Sequence, residues 1–188
     1  MASTHLQPDV RNVPDAGTYA LDPTHSYVAF TARHLMVTKV RGRFPVSEGR
    51  LVVGEDASLS SVEATIDVAA VESGDPKRDE HLRSADFFDT ETHRYATFRS
   101  TGVEDHGDGE FTLRGDLTIR GVTRPVSLRG EYLGTQTSPW GDTRIGFSAE
   151  TEVSRKEWGL EWNLALETGG VVVGDKIKLV IDAEWIRN

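Results

Sequence analysis

The side chains here whose types and spacing could do chemistry are a few histidines, arginines and acids. His25 and His34 lie nine residues apart and, with His81, offer three imidazoles, a ligand set that catalytic zinc sites use. An odd separation points two side chains to opposite faces of a regular strand, and neither H-x-H nor H-E-x-x-H occurs. The pattern therefore calls for no metal. Arg78, Asp79 and His81 form a second polar group. Asp79 and His81 are two apart, which separates them on a helix surface; ion pairing and capping of a short helix suit them better than a catalytic dyad. Contact with a ligand's polar head is the second expectation for these three. Ser26 follows His25, but adjacent strand residues point apart. No G-x-S-x-G elbow, Walker loop or G-x-G-x-x-G stands in the chain. With no cysteine there is no disulfide, thiolate metal site or thiol nucleophile. The residues alone indicate no catalytic constellation, no metal and no cofactor.

The elements that would position these residues must be strands. The chain has 188 residues, and 37% of them are hydrophobic, enough for one domain with a real core. Residues 1–15 are polar with two prolines and read as a flexible N-terminal segment, leaving 16–188 for the fold. The segment has no basic start and no apolar stretch, so no signal peptide is read there and a cytoplasmic location is expected. No run approaches the ~18 apolar residues of a membrane-spanning helix. A net charge of −9 opposes binding to nucleic acid and to anionic membrane surfaces unless a local basic patch wins; acidic residues surround the small basic run Lys39, Arg41, Arg43, and nucleic acid is not expected as a partner.

Period-2 alternation dominates. Val28, Phe30 and Ala32 share one face; so do Val62, Ala64, Ile66 and Val68; so do Phe111, Leu113, Gly115, Leu117 and Ile119. Ile145, Phe147, Ala149, Thr151 and Val153 repeat the pattern, and Ile177, Leu179, Ile181, Ala183 and Trp185 finish it. Such alternation means strands with one dry and one wet face. About nine strand candidates emerge, at 17–22, 26–35, 43–53, 61–71, 95–103, 110–120, 124–133, 143–154 and 175–186. Short connections are expected at 54–58, 105–109 and 121–125. Residues 75–89 break the alternation and predict a short helical insertion near residues 76–88. The order is local and meander-like, which favours an up-and-down barrel. Its apolar face points inward, because a lipid-facing barrel needs aromatic girdles that this chain lacks.

Five separated motifs then carry a resemblance. They are Tyr19-Ala20-Leu21-Asp22 with His25-Ser26, Val28, Phe30 and His34; Gly42-Arg43-Phe44; Arg78-Asp79-Glu80-His81-Leu82 with Asp86-Phe87-Phe88-Asp89; Ala96-Thr97-Phe98 with the run from Gly115 to Val126; and Gly146-Phe147 with Ser154-Arg155-Lys156-Glu157-Trp158-Gly159. In this order, over roughly residues 17 to 186, they resemble the YceI-like, polyisoprenoid-binding, lipocalin-like family. The resemblance implies an all-β fold: an eight-stranded antiparallel up-and-down barrel around a long apolar tunnel. It implies a polyisoprenoid or isoprenoid-quinone ligand and no established catalysis, and it is compatible with a homodimer. Many members carry a secretion signal, which this chain departs from. Tyr95-Ala96 stands where the family often has an aromatic and a proline, and Trp158 where it commonly has phenylalanine; the bulkier ring is expected to shorten the tunnel or change its mouth.

An eight-stranded barrel is just wide enough to be filled by side chains or to hold one slender ligand. Small inward residues, Ala32, Ala64, Gly115, Ala149 and Ala183, favour the second outcome. The expected ligand contacts are Phe30, Ala32, Phe98, Phe111, Leu117, Ile119, Phe147, Ala149 and Trp158. Trp158 and Trp162 either anchor a fixed loop or ride a mobile lid. The leading expectation is a binding or carrier protein; the alternative is an enzyme on an isoprenoid-type or other small apolar substrate, with Arg78, Asp79, His81 and Arg155 at the tunnel mouth.

Overall fold

The alternating segments become nine strands and one helix in a computed structural model that describes residues 13–188. In chain order these are β1 (Gly17–Leu21), β2 (Tyr27–His34), β3 (Thr38–Val53), β4 (Ser61–Asp67), α1 (Pro76–Arg83), β5 (Tyr95–Gly107), β6 (Glu110–Ile119), β7 (Val122–Thr137), β8 (Thr143–Ser154) and β9 (Val173–Arg187). Each strand from β2 onward pairs antiparallel with the next, and β9 returns to pair with β2. The sheet is thus a closed eight-stave up-and-down barrel. β1 and β2 share one stave, because both lie between β3 and β9.

That stave is broken at Asp22–Ser26. Leu21 faces Trp185 and Tyr27 faces Asp182, so residues 22–26 oppose only 183 and 184. The ladder is kept across the gap: the Asp22 amide donates to the Glu184 carbonyl at 2.8 Å, and the Glu184 amide donates to the Ser26 hydroxyl at 3.0 Å.

Several boundaries differ from the expected ones. The helix ends at Arg83 instead of continuing towards 88, because the Ser84 hydroxyl donates to the His81 carbonyl at 2.7 Å and the backbone turns away. Phe87 and Phe88 lie on the turn that follows. The 121–125 connection is instead a two-residue turn at Arg120 and Gly121, both left-handed with φ 52° and 74°. Pro125 already pairs with Asp116 in β7, where the strand has a neighbour on one side only, since pairing with β8 starts at Arg129; a proline is tolerated there. Of the segment expected to be flexible, residues 1–12 lie outside the described residues, and the Asp15 carbonyl accepts the Tyr19 hydroxyl at 2.7 Å.

The inward faces pack as three clusters: Phe30, Phe44, Val46 and Ile66 with Leu82 and Phe88; Tyr19, Leu51, Ile145 and Trp185; and Phe87, Leu117, Trp158 and Leu160. Between them the lumen stays hollow, for a local reason. A Cβ placed on Gly42 would lie 2.4 Å from the Phe30 ring, on Gly115 2.3 Å from Phe98, and on Gly130 2.2 Å from Phe111. Each ring lies down over a glycine of a neighbouring strand instead of standing into the lumen. Gly130→Ala is expected to tip Phe111 inward and cost about 1–3 kcal/mol, while Gly42→Ala costs more, because its Cβ also meets the Glu72 carbonyl at 2.8 Å. Urea unfolding of the two variants checks the order, and a crystal structure of the first checks the ring.

Candidate functional site

The barrel encloses a cavity of about 860 Å³, towards the upper end of the roughly 300–1,000 Å³ of small-molecule sites. Phe30, Ala32, Phe98, Phe111, Leu117, Ile119, Phe147, Ala149 and Trp158 all line it. Val28, Phe44, Leu179, Ile181 and Trp185 belong to the same wall and were absent from the expected contacts; the alternation in β2, β3 and β9 already carried the signal for them. The rings form two clusters of edge-on and tilted pairs along the wall. Phe111, Phe147 and Tyr132 meet at 5.7 and 5.4 Å between centroids, and Phe30, Phe44 and Phe88 at 5.1 and 5.2 Å.

One end is a fixed floor. Trp158 is 1% exposed, and its indole N–H donates to the Leu117 carbonyl at 3.0 Å. Arg155 is buried beside it. Its guanidinium donates to the carbonyls of Leu160 (2.6 Å), Trp162 (2.9 Å), Gly174 (3.1 Å) and Val173 (3.4 Å), and to the Asp175 carboxylate at 3.3 Å. A planar fork of this kind suits a ring of converging carbonyls. It ties the chain after β8 to the start of β9. Trp158 is therefore an anchored plug at the cavity floor.

The opposite end is a mouth lined by Asp15, Glu55, Asp56, Asp105 and Glu110. Asp56 caps the turn Ala57–Leu59 by accepting the Ser58 amide at 2.8 Å, and Asp105 accepts the Gly107 amide at 2.9 Å. Among the described residues, Arg155 on the floor is the one Lys or Arg in the cavity lining. The rim is thus acidic and the wall is apolar.

Arg78, Asp79 and His81, expected as possible head-group contacts, do not line the cavity; Leu82, Phe87 and Phe88 do so in that region. Arg78 donates to the Ser73 hydroxyl at 2.8 Å, and Asp79 accepts the Ser73 amide at 2.8 Å. His81 pairs with Asp86 at 2.9 Å and packs edge-on against Trp162 and Phe87. These three residues fasten α1 under the floor. Local hydrogen bonding within the segment outcompetes any reach into the lumen.

The YceI-like domain profile matches residues 19–185. The chain belongs to the YceI-like family. A UPF0312 protein of Vibrio cholerae is 35% identical over 150 residues, covering 78% of this chain and 79% of that protein. Protein YceI of Escherichia coli O157:H7 is 34% identical over 175 residues, covering 92% and 88%. Among solved structures, Burkholderia cenocepacia BcnA superposes with a TM-score of 0.74 at 20% identity, covering 87% of this chain and 98% of that one. A polyisoprenoid-binding domain from Saccharophagus degradans gives 0.64 at 17% identity, covering 93% and 100%.

This YceI-like barrel also carries a polar knot on its outer face, at the broken stave. Asp22, His25 and Glu184 bring three potential ligand atoms within 4.8 Å of one another. The Arg144 guanidinium already sits among them, 2.6 Å from Asp22 and in contact with Glu184, so the cationic position is filled by the protein itself. Burial pushes the Asp22 carboxyl up, but hydrogen bonds from Thr24, His25 and Arg144 outweigh it and hold the group well below the usual carboxylate range. A depressed folded value means that the knot's contribution is complete above about pH 4 and is lost as pH falls through the folded value. Asp22→Asn is expected to lose about 1.5–3 kcal/mol at neutral pH and to flatten the acid limb of the stability profile, which denaturant titrations at several pH values measure.

Proposed function

We propose that this YceI-like barrel binds and carries one long, slender, electrically neutral apolar molecule of isoprenoid type, a polyisoprenoid or an isoprenoid quinone. The hollow lumen carries the reading: about 860 Å³ lined almost throughout by aliphatic and aromatic side chains. Sequestering apolar surface is worth ~25 cal/mol per Å², so a chain several isoprene units long gains affinity without polar contacts, less the cost of ordering it. A domain of the same fold is described as polyisoprenoid-binding, which supports the ligand class.

The acidic mouth refines it. A pyrophosphate head at Glu55, Asp56, Asp105 and Glu110 would meet charges of its own sign, whereas a quinone ring or a bare isoprenoid end would not. The lining residues Trp158 and Trp185 place indoles at the cavity wall, within reach of a quenching quinone.

Titration with a long-chain isoprenoid quinone is expected to quench tryptophan fluorescence saturably at one equivalent. Ala149→Trp, which fills the lumen at mid-wall, is expected to lose that binding while remaining folded. The prenyl pyrophosphate of equal length is expected to bind at least about tenfold more weakly, with the gap narrowing as salt screens the rim. A well-folded Ala149→Trp that binds quinone as tightly as the parent contradicts the proposed site.

A further inference from the structure

We propose that the closed end of the barrel docks on anionic lipid surfaces through the hairpin that joins β2 to β3. The stave formed by β1 and β2 starts at the mouth and ends at this hairpin, so the hairpin points away from the acidic rim. Its turn runs from His34 to Val37, with the Val37 amide donating to the His34 carbonyl at 3.1 Å. Leu35 and Met36 occupy the two central positions with φ 51° and 60°. A two-residue turn with both central residues left-handed favours Asn-Gly, because a side chain on a left-handed residue is strained. This chain instead places two large apolar residues there and exposes them, followed by Val37 at 78% exposure. Leu164, also exposed, joins the same end through Val172, whose amide donates to the Leu164 carbonyl and whose carbonyl accepts the Leu35 amide. Backbone comfort does not account for apolar residues at this tip, and packing does so only in part, through Met36 beside Gly170; insertion into an apolar layer accounts for the rest.

The charges behind the tip identify the layer. Arg33 lies directly opposite Lys39, and Arg41 lies opposite Thr31. Like charges facing each other across a strand pair are unfavourable in water. Among the described residues Arg33, Lys39 and Arg41 have no ion pair, whereas Arg43, one step farther from the tip, pairs with Glu72 at 2.8 Å. Of the nearby acids, Glu150, Glu152 and Asp175 are engaged by Lys178, Lys176 and Lys156, while Glu167, on the Leu166–Gly170 turn beside Met36, sets one negative charge against the three cations. An apolar tip with a cationic collar is the pattern that seats a protein at an anionic bilayer interface. On a chain of net charge −9, the separation of this collar from the acidic mouth orients the approach. Docked this way, the mouth faces water.

Co-sedimentation with vesicles of phosphatidylcholine and phosphatidylglycerol, against phosphatidylcholine alone, tests this. The protein is expected to sediment with the anionic vesicles and to be released by salt. The double variant Leu35→Asn/Met36→Gly supplies the residues the turn prefers, so its thermal midpoint is expected to stay or rise while vesicle binding falls by more than about tenfold. The triple variant Arg33→Gln/Lys39→Gln/Arg41→Gln is expected to lose the salt-sensitive part of binding. Three results overturn the proposal: folded parent protein left in the supernatant at low salt, a double variant that binds like the parent, or a parent dimer that the double variant converts to monomer without any vesicle binding. The last result assigns the tip to a second copy of the chain.

Discussion

A phenyl ring can lie flat on the inner wall of a narrow barrel only where the neighbouring strand offers no side chain beneath it. Phe30 over Gly42, Phe98 over Gly115 and Phe111 over Gly130 each meet that condition. With eight staves, the lumen is at the threshold between a filled core and a channel. Rings standing inward would fill it. Rings laid on glycine leave a channel lined by their faces, with Ala32, Ala64, Ala149 and Ala183 widening it further. The cavity, its apolar character and its width all depend on this pairing of large and absent side chains across the ladder.

The two ends of the channel are built by different chemistry. At the floor, Trp158 and Arg155 spend their N–H groups on backbone carbonyls, so the segment after β8 is held by buried hydrogen bonds. At the mouth, exposed carboxylates cap short turns and face the solvent. Outside, the Asp22–His25–Arg144–Glu184 knot closes the gap in the first stave. Asp22 and His25 act in opposite directions within it. The hydrogen bond to Asp22 and the charges of Asp22 and Glu184 raise the His25 pKa, so that pairing contributes below about pH 6.5 and fades as pH rises past the folded value. The Asp22 contribution instead fades towards acid.

Alternation made most of the barrel legible in the sequence. β6, β8 and β9 show unbroken inward runs, and the cavity residues drawn from them, Phe111, Leu117, Ile119, Phe147 and Ala149, lie on the wall. The motifs from Tyr19 to Trp158 pointed to the family, and the profile match across residues 19–185 shows it. What stayed hidden depends on contacts distant in sequence. The Gly-under-Phe pairs need register, since nothing local to Gly130 names Phe111 as its neighbour. Pro125 imitates a turn signal because its strand happens to be one-sided there. Arg78, Asp79 and His81 share a segment with cavity residues but turn to Ser73, Asp86 and Trp162, a choice set by a short helix that ends early. Arg155 gave no sign of its converging carbonyls, all four of which come from residues 160–174.

Native mass spectrometry of the protein incubated with excess long-chain isoprenoid quinone, followed by organic extraction, tests the hollow lumen most directly. The predicted result is one quinone per chain, retained through desalting and released only when the barrel is denatured. A folded protein that stays at the mass of the bare chain under these conditions would contradict it, and would mean that the lumen closes on itself in solution.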